Sequence, residues 1–266
     1  VLSFDFHPKT VDTSASSQVI TFTVHLTDDL TGVTDGIIGG LGTSPSQAWF
    51  ESPSKQSAVV IFRAPQDLIS GDPQDGIYVS TMTLPQFSDM GIWELRYLSL
   101  VDDAGNRKSL SKEEMVARGF PAEIVQEGVG DTTPPDVLSF DFNPKTVDTS
   151  ASPQVITFTV HLTDDLSGVT DGIIGGMGTS PSQARFESPS GQSADVIFQA
   201  PQNLVYGDAR DGIYVSTMTL PQFSEMGTWQ LWYLYLVDDV GNGRYLSKDE
   251  MVSRGLPTEI VQKGVG

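Results

Sequence analysis

Aspartate is the residue of this chain whose type and spacing most suggest chemistry. Asp28, Asp29 and Asp35 fall in the stretch Thr27-Asp-Asp-Leu-Thr-Gly-Val-Thr-Asp-Gly36, Asp102, Asp103 and Asn106 fall in Val101-Asp-Asp-Ala-Gly-Asn106, and Asp67, Asp72 and Asp75 crowd a third segment. Carboxylates brought close together repel one another unless protons or a cation intervene. Calcium suits such loops, because it takes about six to eight oxygens from carboxylates, Asn side chains and backbone carbonyls in flexible geometry. The set recurs as Asp164, Asp165, Asp171, Asp208, Asp211, Asp238, Asp239 and Asn242, with Asn203 in place of Asp67. Against a metal stands the ordinary use of Asp and Asn before Gly, where the side chain caps local backbone donors in a tight turn. The spacing matches no EF-hand loop, so cation ligands and plain turn residues both stay open.

Other chemistry is sparse. Of the three histidines, His7 is replaced by Asn143 in the repeat described below, while His25 and His161 lie among alternating threonines and apolar residues, the setting of a structural or exposed strand His. There is no Gly-x-Ser-x-Gly elbow. The glycines of 36–42, including Gly39, Gly40 and Gly42, follow an Asp-Gly turn and open no helix, which points to close backbone packing rather than a phosphate cradle. The chain is therefore not expected to be an enzyme. Trp232 and Tyr235 replace Arg96 and Ser99, and positions that tolerate such exchange read as surface, so both aromatics are candidate glycan contacts.

These residues sit in a sequence written nearly twice. Residues 1–130 recur as 137–266 without insertion or deletion, identical at 103 of 130 positions. A period that long describes self-sufficient domains rather than a solenoid. Residues 131–136, Asp-Thr-Thr-Pro-Pro-Asp, read as a proline-stiffened linker between them. The register in which the chain opens suggests two units of a longer array, with neighbouring repeats as partners. The net charge is −19 and there is no cysteine, which excludes disulfides and thiolate sites and makes nucleic acid and anionic lipid poor partners. No apolar run is long enough to insert in a membrane.

Within one copy, Gln18–Thr27 alternates Ile20, Phe22, Val24 and Leu26 with Val19, Thr21, Thr23 and His25, the period of a half-buried strand. Similar runs at 2–6, 58–63, 77–84, 92–101 and 123–126, weaker ones at 36–41 and 48–51, and intervening turn residues predict a β-sandwich of immunoglobulin type. The positions shared by both copies along 92–101 change parity after Tyr97, which predicts a β-bulge or a strand end buried on both faces. Ser111 followed by Glu114 predicts one short helix over 112–118. The fold class expected is all-β, two tandem immunoglobulin-like sandwiches, each with one short helix.

Asp131-Thr-Thr-Pro-Pro135 at a domain start, Thr163-Asp-Asp-Leu-Ser-Gly-Val169 and Val237-Asp-Asp-Val-Gly-Asn242 together resemble the bacterial immunoglobulin-like repeats of large secreted and surface proteins, including adhesins and non-catalytic parts of secreted hydrolases. The resemblance covers both copies on short motifs. It implies an extracellular or cell-surface setting and, in some members, calcium bound in loops or at domain joints; Asp28, Asp29, Asp102, Asp103, Asn106 and their counterparts match such positions. The helix departs from the simplest form of that fold. The expected function is a spacer or adhesion stalk stabilised by calcium, facing a cell-surface or matrix glycan or protein; the alternative is a carbohydrate-binding module.

Overall fold

A computed structural model describes the whole chain except residues 39, 40, 43, 176 and 266; the Gly39-Gly40 pair thus lies outside the described residues. The chain is all-β and divides into two compact units, Val1–Gly130 and Asp131–Gly266. In the first, Gln18–Thr27 buries Ile20, Phe22, Val24 and Leu26 completely or nearly so while its alternate residues face outward. Removing one such Phe from water stabilises the fold by roughly 2 to 3 kcal/mol. That alternation fixes register, since a slip of one residue would expose the entire apolar set.

One sheet has the order Ser3–His7, Gln18–Thr27, Asp75–Leu84, Leu68–Gly71. The other runs Thr10–Val11, Glu123–Gln126, Gly91–Val101, Ser46–Glu51, Ser57–Phe62, with Arg107–Ser111 also paired to Gly91–Val101. Pairings are antiparallel except that of Thr10–Val11 with Glu123–Gln126. This is the strand order of an immunoglobulin sandwich. Between the sheets Phe4, Phe6, Phe22 and Phe50 form a continuous ring cluster, Phe6 and Phe22 lying 5.0 Å apart. Trp93 is buried with its Nε1 donating to the Asp89 carbonyl at 2.9 Å.

The helix Lys112–Ala117 begins at a reciprocal cap. Ser111 Oγ accepts from the Glu114 amide, and Glu114 Oε2 accepts from the Ser111 amide at 2.9 Å. The predicted bulge is present, but one residue earlier than the parity change suggests: Arg96 is the extra residue, between Leu95 and Tyr97. Tyr97 is half-buried on the outer face against Trp49, and its counterpart Tyr233 meets Arg185 there instead, so neither tyrosine belongs to the core. The stretch expected at 36–41 is two short strands, Ile37–Ile38 and Leu41–Gly42, paired with each other.

The second unit repeats this order. It differs at its start. The six residues expected to be a linker belong to the unit itself: Asp131 is 2% exposed, Pro135 is buried, and Asp136 opens strand Asp136–Asn143 opposite Thr163. The Asp136 carboxylate is held by Arg254 at 2.8 Å and Arg244 at 3.5 Å. No helix among the described residues is long and apolar enough to cross a membrane.

Candidate metal centre

The acidic loops meet at one end of each sandwich. In the first unit Val33 pairs with Asp102, the Asp103 amide donates to Gly32, and the Asp28 amide donates to Gln74, which ties the three segments together. The aspartates there are spent on turns. Asp28 Oδ2 accepts from the amides of Leu30, Thr31 and Gly32 at 3.1, 2.8 and 2.8 Å. Asp102 accepts from the amides of Ala104 and Asn106 and from the Asn106 side chain. Asp35 caps Ile37, Asp72 caps Gln74 and Asp75, and Asp75 meets His25 at 2.6 Å. These bonds favour the ionised form and hold the Asp28 and Asp102 carboxyls below their ordinary range, led by the Gly32 amide and the Asn106 side chain respectively.

The second unit uses the same residue types differently, because Asp131 enters the loop end. Oxygens of Asp131, Asp164 and Asp238 lie within 4.8 Å of one another. The Ser167 amide, whose counterpart Thr31 bonds Asp28, donates instead to Asp131 Oδ2 at 2.8 Å. Asp164 keeps the amides of Leu166 and Gly168 on Oδ2, while its Oδ1 is buried with no partner. Asp238 is fully buried; its Oδ1 accepts from the amides of Val240, Gly241 and Asn242 and its Oδ2 from Asn242 Nδ2 at 2.6 Å. Asn242 Nδ2 also donates to the Asp131 carbonyl at 3.2 Å.

The electrostatics invert accordingly. Burial, reinforced by Asp131 and Asp164, pushes the Asp238 carboxyl up to about 7, and burial likewise raises Asp164. Three carboxylates with an orphaned oxygen form an all-oxygen donor set, the kind that takes calcium or magnesium in preference to softer metals. Among the described residues this is the one three-acid group of such closeness. Asp165, Asp171, Asp208, Asp211 and Asp239 lie outside it. Asp171 caps Ile173, Asp208 caps Arg210 and Asp211, and Asp211 meets His161 at 2.6 Å. Asp239 is pushed up by its own burial and carries an unpartnered Oδ1. In the first unit Asp29 and Asp103 likewise join no three-acid group.

Sequence reasoning placed Asp164, Asp238 and Asn242 but missed Asp131. The repeat aligns no residue with it, and its Thr-Thr-Pro-Pro context reads as a joint. The usable signal was an Asp at the head of a segment that the second unit packs into its own fold. Set against known proteins, the chain matches no family model and no curated protein.

Two further sets of residues bear on activity. His25 and His161 each hydrogen-bond an aspartate, and among the described residues no hydroxyl bonds either ring. Trp232 is 55% exposed, as the exchange with Arg96 predicts. Tyr235 is not: it is half-buried, its ring 4.5 Å from that of Tyr245, which covers it.

Proposed function

We propose that this chain is a non-catalytic tandem β-sandwich of spacer or adhesion-stalk type, working outside the cell, whose second unit is stabilised by calcium. One observation carries the reading: a buried group of Asp131, Asp164 and Asp238 that includes an unpartnered carboxylate oxygen. Burying three such charges together costs stability unless a cation offsets them. Calcium at the roughly 0.1 to 1 mM affinity of extracellular modules meets that need. His25 and His161 support the non-catalytic part, since each is bonded to an aspartate and, among the described residues, to no hydroxyl.

Thermal unfolding of the whole chain tests this. At about 100 times the dissociation constant, calcium should stabilise the second unit by about 2.7 kcal/mol, a rise of roughly 4 to 6 °C for a domain of this size. Magnesium at matched ionic strength controls for screening. Asp164→Asn should abolish the calcium-specific rise. Identical melting in calcium, magnesium and chelator would mean that these loops are turns alone.

A further inference from the structure

Both units carry a groove at the same place on the outer face of the six-stranded sheet, and its chemistry differs between them. In the first unit the groove, about 430 Å³, is lined by Glu51, Lys55, Ile92, Glu94 and Arg96 among others. Its charges cancel internally: Lys55 and Arg96 lie 2.6 and 3.8 Å from Glu51, and Lys112 lies 2.6 Å from Glu94. In the second unit the groove, about 490 Å³, has Glu187, Thr228, Gln230 and Trp232 at those walls. Lys55 has become Gly191, Ile92 Thr228, Glu94 Gln230 and Arg96 Trp232. Four of the 27 differences between the copies thus change one groove from an ion-paired one to one whose single charge, Glu187, has no ion pair.

The residues left there are uncommitted. Among the described residues the side chains of Glu187, Thr228 and Gln230 form no hydrogen bond or ion pair, whereas Glu51 and Glu94 both do. Glu187 and Gln230 stand directly opposite across paired strands, so an acceptor-only carboxylate adjoins an amide that both donates and accepts. Beside them the indole of Trp232 is fixed as the bulge residue. It packs 5.4 Å from Tyr233, with the Arg185 guanidinium 5.9 Å from its ring. Arg185 is in turn anchored on Asp195 by bonds of 2.7 and 2.9 Å.

From this groove we infer that the second unit binds a neutral polysaccharide, with a pyranose ring stacked on Trp232 and its hydroxyls bonded by Gln230, Glu187 and Thr228. A sugar presents an apolar C–H face and a rim of hydroxyls that donate and accept, which an exposed indole beside an amide and a carboxylate complements. The groove volume lies within the range of small-ligand sites. Polyanionic glycans are disfavoured by the chain's charge of −19. This activity goes beyond the calcium reading and does not rest on it, because no groove residue belongs to the acidic cluster.

The test is affinity gel electrophoresis of the whole chain, with calcium present, against xylan, galactomannan, mixed-linkage β-glucan, hydroxyethylcellulose and amylopectin. At least one should retard the protein. Trp232→Arg and Gln230→Glu, which install the residues the first unit already carries on the same backbone, should each weaken retention about tenfold or more while melting with the parent. No retardation by any of the five, or retention that survives both substitutions, overturns the proposal. Binding of an oligolysine peptide in place of every polysaccharide also overturns it, in favour of a cationic partner for Glu187.

Discussion

Asp238 shows how burial, with a further carboxylate beside it, changes what one residue type does. Its counterpart Asp102 is held below the ordinary carboxylate range, while Asp238 is pushed from 3.8 to about 7. A folded-state pKa above the unfolded value means that the folded protein holds the proton more tightly. In chelator, the second unit should therefore keep this contribution below about pH 4, lose it progressively as pH rises, and lose no more above about pH 7. The limit is roughly 4 kcal/mol, from about three pKa units at about 1.36 kcal/mol each. Melting temperature against pH should show that decline in chelator, and calcium, by favouring the ionised form, should flatten it. In Asp238→Asn both effects should vanish; a decline of the same size in that variant would assign the titration to another group.

At the scale of elements, the paired copies separate local from tertiary causes. Helix Lys112–Ala117 is legible because its signals are local: Ser111 and Glu114 cap each other within one turn. In the matching helix Lys248–Ser253, Ser247 still accepts from the Glu250 amide, but the Glu250 side chain is drawn away to Arg244 and Arg254 at 2.6 and 2.9 Å. Ser111→Ala should cost about 1 kcal/mol and lower the first unit's melting by roughly 4 °C, as read by differential scanning calorimetry. Strands such as Gln18–Thr27 are legible for the same reason, their burial alternating with period 2. Those that escaped are Thr10–Val11, too short for a period, Leu68–Gly71, which fully buries none of its residues, and Arg107–Ser111, which buries Leu110 alone. Thr10–Val11 is held by a strand more than a hundred residues away, and the other two by the neighbouring strand of a hairpin. Tyr235 escaped likewise, since its cover, Tyr245, comes from the adjoining strand.

For the whole molecule the consequential boundary is the one before Asp131. A fragment starting at Asp131 retains the third carboxylate and the Asp136 pairs with Arg244 and Arg254; one starting at Val137 loses both. Calorimetry of the two fragments should show a calcium-dependent rise only in the longer one, and an equal rise in both would remove Asp131 from the site. Residues 1–130 alone should melt cooperatively, because they enclose their own core. Duplication also leaves a record of how the two copies could part. Across one strand pair the Ser99 and Ser109 of the first unit are Tyr235 and Tyr245 in the second, and Arg107 is Gly243. A Cβ on residue 243 would stand 2.5 Å from the Tyr235 hydroxyl. A larger residue at 243 would therefore push the Tyr235 ring from its stack on Tyr245, so the glycine and the aromatic pair depend on each other. No single substitution in the first unit would reproduce this surface of the second, because the stacked pair needs both tyrosines and the space left by a missing methyl group.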